Sequence, residues 1–305
     1  MAAARPIRAL IARQRRHERI FIALGFLALA TGILTFLALF ADMVIDGAPR
    51  LSAGFFTDFP SRRAESAGIL SAWVGTLLVM IVTACAAVPI GVAAGVYLEE
   101  YAPRHWITDV IEINITNLAG VPSIIYGLLA LGLFVYAFGL GQSILTAGLT
   151  LALLILPIVI VATREAIRTI PGALREGAFA LGATKWQCVR HHVLPYAFPG
   201  IMTGVIIGMA RAIGETAPII TIGALTFIAF LPPAPIEPAF PFLNFDWLHA
   251  AFTVMPIQIF NWTSRPQASF HANAAAAGFI LVLMTLGMNA LAIYLRYRLR
   301  KNLKW

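Results

Sequence analysis

Lysine is nearly absent from this sequence: Lys185, Lys301 and Lys304 are the three that occur, and none follows a glycine. The Gly-x-x-x-x-Gly-Lys-Ser/Thr loop is therefore missing, and without it the chain cannot cradle nucleotide phosphates in that manner. Cysteine is just as scarce. Cys85 lies in an apolar run and Cys188 in a basic stretch, so a disulfide between them is not expected, and their spacing fits no metal site. The six histidines show no metal spacing; the adjacent His191 and His192 would point ~100° apart on a helix and suit a solvated loop. No converging nucleophile and base mark an enzyme. No internal repeat is evident, which disfavours an ion-coupled carrier with two matching halves.

Charge is also in short supply. Only 12% of the 305 residues are charged and 60% are hydrophobic, whereas soluble domains carry about twice that charge. The apolar residues gather in six long runs, near 20–45, 69–98, 113–138, 143–163, 199–230 and 272–295. Each is long enough to cross a bilayer core of about 30 Å as a helix. The expected fold is an all-α integral membrane protein of six transmembrane helices. The first run follows a basic stretch like a signal peptide, but it is too long for one and lacks a small-x-small cleavage site, so it reads as a retained helix.

The net charge of +8 would suggest nucleic acid in a soluble protein; here it reads as basic residues held on one side of a membrane. Six arginines precede the first run, Arg104 follows the second, five basic residues lie near 164–198 and five more follow from Arg296. The opposite segments hold only Arg50, Arg62, Arg63 and Arg265. The basic side faces the cytoplasm, which places both termini there. The chain divides into 1–68 (basic terminus, first helix and external loop), 69–296 (a core of five helices) and the basic tail 297–305. The external stretch 231–271 is rich in proline and aromatics, including Phe240, Phe242, Phe245, Trp247, Phe252, Phe260 and Trp262. It reads either as a connector lying at the interface or as a docking surface for an external partner.

Segment 171–195 encodes a hairpin. Pro171 suits a first helical turn, Gly182 a left-handed helix end, and Thr184 with Gln187 has capping-box spacing for a second helix that Pro195 stops. A stiff hairpin between membrane helices can transmit a push. In the fifth run, Arg211 and Glu215 stand four apart and can pair. Each would cost about 2.5–3.5 kcal/mol in a bilayer centre, so such residues usually face a bundle interior and mark a pathway. Gly200, Gly204, Gly208, Ala212 and Pro218 share their stripe, which permits close helix approach or room for an ion. The pair is either a self-satisfied structural bridge or a cationic fork for an oxyanion, since guanidinium matches phosphate in planar geometry. Thr216 belongs to the same candidate pathway. Ser123, after Pro122, could line it or cap a helix. Glu99 and Glu100 read as a solvated helix end.

The hairpin resembles the coupling motif of ABC importer permeases. Glu176, Ala178, Gly182, Leu194 and Pro195 match it in register; Gly177 stands where alanine is usual and His192 where an aliphatic is usual. The resemblance implies a type I ABC importer permease fold. It also implies a hairpin docked on a separate ATPase dimer that carries ATP and magnesium, with no cofactor on this chain. The strings 211–218 (Arg-Ala-Ile-Gly-Glu-Thr-Ala-Pro), 119–127 (Ala-Gly-Val-Pro-Ser-Ile-Ile-Tyr-Gly) and 260–267 resemble the phosphate-specific permeases of the A type (PstA). That likeness implies a second related permease, an external phosphate-binding protein and a bacterial inner membrane. The other readings are a permease for another oxyanion, such as molybdate or sulfate, and an ion-coupled transporter.

Overall fold

The computed structural model describes residues 4–236 and 243–300, and these form an all-helical molecule without a β-sheet. Helix α1 spans Ala4–Gly47 and α2 Leu70–Tyr101; α3 spans Trp106–Leu118 and α4 Ser123–Ala137. Helix α5 spans Ile144–Arg168, α6 Gly172–Ala180 and α7 Lys185–Gly214. Helices α8 (Ala217–Thr221), α9 (Met255–Thr263) and α10 (Ala268–Arg300) complete the chain. Five helices are long and apolar enough to cross a membrane, and the α3–α4 pair makes a sixth span if counted as one.

Two of the expected runs are broken. The 113–138 run bends by 105° between α3 and α4. Pro122 lacks the amide proton needed to continue the ladder, and it biases Val121 away from helical geometry. The Tyr126 hydroxyl bridges the break by donating to the Leu118 carbonyl at 2.8 Å. The 199–230 run also fails as one helix. It stops at Gly214, Glu215 is extended (φ −76°, ψ 125°), and Pro218 cannot donate back to Gly214.

At its other end the same helix starts earlier than expected, at Lys185. Pro195 does not stop the second helix of the hairpin; that helix runs on into the membrane span. A π-helical turn at Val189–Val193 widens the ladder just ahead of Pro195, which then sits in the first turn of the following α-helical stretch, where its missing donor costs little.

Helices α2, α5 and α7 form the centre, with α5 between the others. Close approach depends on small residues, because lipid gives apolar side chains little reason to leave it. A Cβ on Gly204 would fall 2.1 Å from that of Ala162 on α5. The glycine stripe of α7 therefore serves helix contact along Gly200 and Gly204 rather than making room for an ion.

The described part of the stretch after α8 packs against the helices at several points. Ile228, Trp247, Phe252, Val254, Met255 and Trp262 are buried. The Ser71 hydroxyl donates to Ile228 O, and the Met255 amide to Thr76 Oγ1. Phe245 and Phe260 stay exposed. Pro238, Phe240, Pro241 and Phe242, and Lys301 and Lys304 of the tail, lie outside the described residues. Helix α1 stands apart: its apolar window has no buried residue, and it meets α10 near Phe40 and Gly47.

Candidate functional site

The hairpin is built from local signals. Pro171 is extended (φ −57°, ψ 137°) and launches α6. Gly182 ends it at φ +84°, a conformation that costs an L-residue roughly 1 kcal/mol or more. Its amide donates to Phe179 O and that of Ala183 to Ala178 O, so two helix-end carbonyls are satisfied. The capping box then forms in both directions: the Gln187 amide donates to Thr184 Oγ1 at 3.3 Å and the Thr184 amide to Gln187 Oε1 at 2.8 Å. Ala178 is buried, which explains a small residue there. Glu176 and Gly177 face outward, with nothing within 4 Å of a Cβ built on Gly177, so its departure from alanine meets no obstacle. His191 and His192 are exposed too.

Leu194 and Pro195 line an apolar groove of about 1010 Å³ between α2 and α7, rimmed by Tyr97, Tyr101 and Trp186. At the hairpin tip Leu181 is 91% exposed, and Phe179 and Trp186 are about half exposed. These apolar side chains did not stand out in the sequence, where a lone Leu or Phe beside a glycine carries no pattern.

The other candidate residues lie at the break after α7. Arg211 Nε donates to Glu215 Oε1 at 3.2 Å, with Arg211 36% and Glu215 19% exposed. Arg211 stands in the last helical turn and Glu215 just beyond it, not mid-helix. The Nη groups of Arg211 have no hydrogen bond among the described residues, so the terminal fork is open. Thr216 precedes α8, which packs on α4; a Cβ on Gly127 would fall 1.8 Å from Thr221 Oγ1. Tyr126, missed in the sequence although one turn past Ser123, lies within electrostatic reach of Arg211. Ser123 opens α4; its hydroxyl makes no capping bond, nor, among the described residues, any bond to Arg211, Glu215 or Thr216. The site thus joins two helix breaks, one arginine fork and its carboxylate. No group of three metal-ligating side chains occurs among the described residues.

Residues 87–304, the hairpin and both breaks included, match the family model of the binding-protein-dependent transport system inner membrane component. The chain belongs to that family. Among curated relatives of this permease, the probable ABC transporter permease protein YqgI of Bacillus subtilis is 32% identical, over 92% of this chain and 96% of its own. Phosphate transport system permease protein PstA 1 of Mycobacterium tuberculosis is 32% identical over 75% and 71%. PstA of Pasteurella multocida is 29% identical over 92% and 94%. Solved structures share the fold. A chain of a bacterial alginate ABC transporter aligns over 91% of the permease and 95% of itself with TM-score 0.64 at 15% identity. One of the MetNI methionine ABC transporter aligns over 74% and 93% with TM-score 0.56 at 19% identity. The permease has the type I ABC importer fold, and the family match favours neither an ion-coupled carrier nor an enzyme.

Glu99 and Glu100 are not a solvated helix end in this permease. Glu99 Oε2 lies 2.9 Å from Arg168 Nε and 3.5 Å from Arg164 Nε; Glu100 Oε1 lies 2.8 Å from Arg175 Nη2. Arg175 also donates to the Ile167 and Ile170 carbonyls, in the last turn of α5 and just beyond it. No local pattern signals these pairs, because α2, α3, α5 and α6 meet here only through tertiary packing.

Proposed function

We propose that this chain is the PstA-type permease subunit of an ATP-driven inorganic phosphate importer in a bacterial inner membrane. It pairs with a second related permease, docks an ATPase dimer through the 171–195 hairpin, and receives phosphate from an external binding protein. ATP and magnesium sit on the ATPase. The basic segments, with the hairpin among them, face the cytoplasm, and both termini lie on that side.

The observation that carries this reading is the open fork of Arg211 at a helix break. Guanidinium presents two parallel donors to a phosphate, and such charge-assisted bonds are the strong ones. Glu215 orients the fork and lowers its net charge, so an anion can leave as well as enter. Curated PstA relatives support phosphate as the anion. Coupling follows from continuity: the second helix of the hairpin and the helix that carries Arg211 are one element of 30 residues. At 1.5 Å per residue it spans about 45 Å. ATPase closure displaces the hairpin end, and α7 carries that displacement to the fork.

The test is uptake of labelled phosphate in cells stripped of other phosphate routes, with the ATPase and partner permease supplied. Wild type is expected to restore ATP-dependent uptake, with unlabelled molybdate and sulfate competing poorly. Uptake that follows molybdate or sulfate instead overturns the choice of anion.

A further inference from the structure

Helix α2 does not end as an ordinary α-helix. Its last five residues, Tyr97–Tyr101, form a π-helical turn, a rare geometry that tends to occur at functional positions. Glu99 and Glu100 sit side by side on that turn and therefore point to different neighbours. Glu100 Oε1 receives two bonds from Arg175 of the hairpin, from Nε at 3.1 Å and Nη2 at 2.8 Å. Glu99 turns to α5, where it meets Arg168 and the buried Arg164. Arg164 Nη2 continues the chain of charges to Glu112 of α3.

Two physical points give this arrangement a role beyond holding the fold. Buried ion pairs contribute little net stability compared with apolar residues of the same volume. The pairs here, part-buried around Arg164, join the ends of α2, α5 and α6 to the middle of α3 and give them defined geometry. Helix α3, moreover, has no buried residue of its own. Among the described residues, its side-chain ties to other helices include Glu112, midway along it, and the Leu118 carbonyl, bonded by Tyr126, at its C-terminal end. A helix held by polar contacts rather than apolar burial can shift as those contacts are remade.

We propose that Glu99 and Glu100 are positioning residues that form a two-armed relay. Through Arg175, Glu100 receives the movement of the hairpin; through Arg164, Glu99 passes it to α5 and α3. Helix α7 moves one wall of the pathway directly, and the relay moves the α3–α4 wall with it. This rests on the reading of the hairpin as the ATPase dock.

The test uses the whole complex in lipid nanodiscs, with Cys85 and Cys188 changed to Ala. Spin labels are placed at Ile113→Cys on α3 and Leu286→Cys on α10, both exposed in this chain. The distance between them is measured without nucleotide and with ATP trapped. The unaltered relay should give a nucleotide-dependent change. Glu100→Gln should still co-purify with the ATPase but lose most of that change, and transport per ATP should fall about tenfold. Arg175→Lys keeps the charge without the two-nitrogen fork and should behave alike; it carries the test if Glu100→Gln fails to assemble. The reversed pair, Glu100→Arg with Arg175→Glu, should restore the change. A full distance change in the assembled single variants overturns the relay, as does a reversed pair that assembles without rescue. An unaltered complex that shows no nucleotide response overturns the relay too, whereas hairpin variants such as Leu181→Asp that co-purify with the ATPase at full yield show that the hairpin is not its dock, and then the proposed function fails first.

Discussion

At the scale of the residue, the Arg211–Glu215 pair combines attraction with restraint. Arg211→Ala removes both charge and fork and is expected to lower phosphate uptake about a hundredfold at equal membrane abundance, since bonds to charged groups contribute about 1.5–3 kcal/mol. Arg211→Lys keeps the charge but offers a point donor in place of a planar fork, and should recover only part of that loss. Initial uptake rates of the two variants check both statements. Glu215→Gln should act in the opposite sense. With its carboxylate neutralised, Arg211 holds an anion longer, so half-saturation should fall to a lower phosphate concentration while the maximal rate also falls. A concentration series separates that outcome from simple damage, which would lower the rate without tightening the half-saturation.

At the scale of the element, the hairpin owes its form to caps. Thr184→Ala removes one arm of the capping box and should cost the second helix about 1 kcal/mol. Hydrogen exchange of the 171–195 amides, faster in the variant while the spans stay protected, would register it. These caps were legible in the sequence because each depends on two or three neighbouring residues: Gly182 for positive φ, Thr184 and Gln187 for the box. The Arg211–Glu215 pair was legible for the same reason, being one turn apart. The continuation of α7 through Pro195 was not. Proline reads as a stop, and only the π-helical turn before it allows the helix to continue. The breaks at Pro122 and Pro218 were hidden for a related reason: a run of apolar residues averages over a kink that one missing donor creates. The Glu99 and Glu100 pairs were invisible because their partners lie more than sixty residues away, and nothing local distinguishes a solvated acid from one that meets an arginine in the fold.

At the scale of the molecule, the proposed orientation links the two ends of α7, and it rests on charge. Moving an arginine-rich segment across a bilayer is costly, each basic residue near a helix centre adding about 2.5–3.5 kcal/mol. The segments with most of the basic residues stay where the chain is made. The proposed orientation puts Leu181 of the hairpin on the cytoplasmic side and Phe245 outside. Both are well exposed, so each can be changed to Cys without disturbing the interior. In intact cells, with Cys85 and Cys188 replaced by Ala, a membrane-impermeant thiol reagent should modify Phe245→Cys and spare Leu181→Cys. In inside-out vesicles the pattern should reverse. The opposite result would put the hairpin outside, away from ATP, and no geometry at the Arg211 fork could then make this chain an ATP-driven importer.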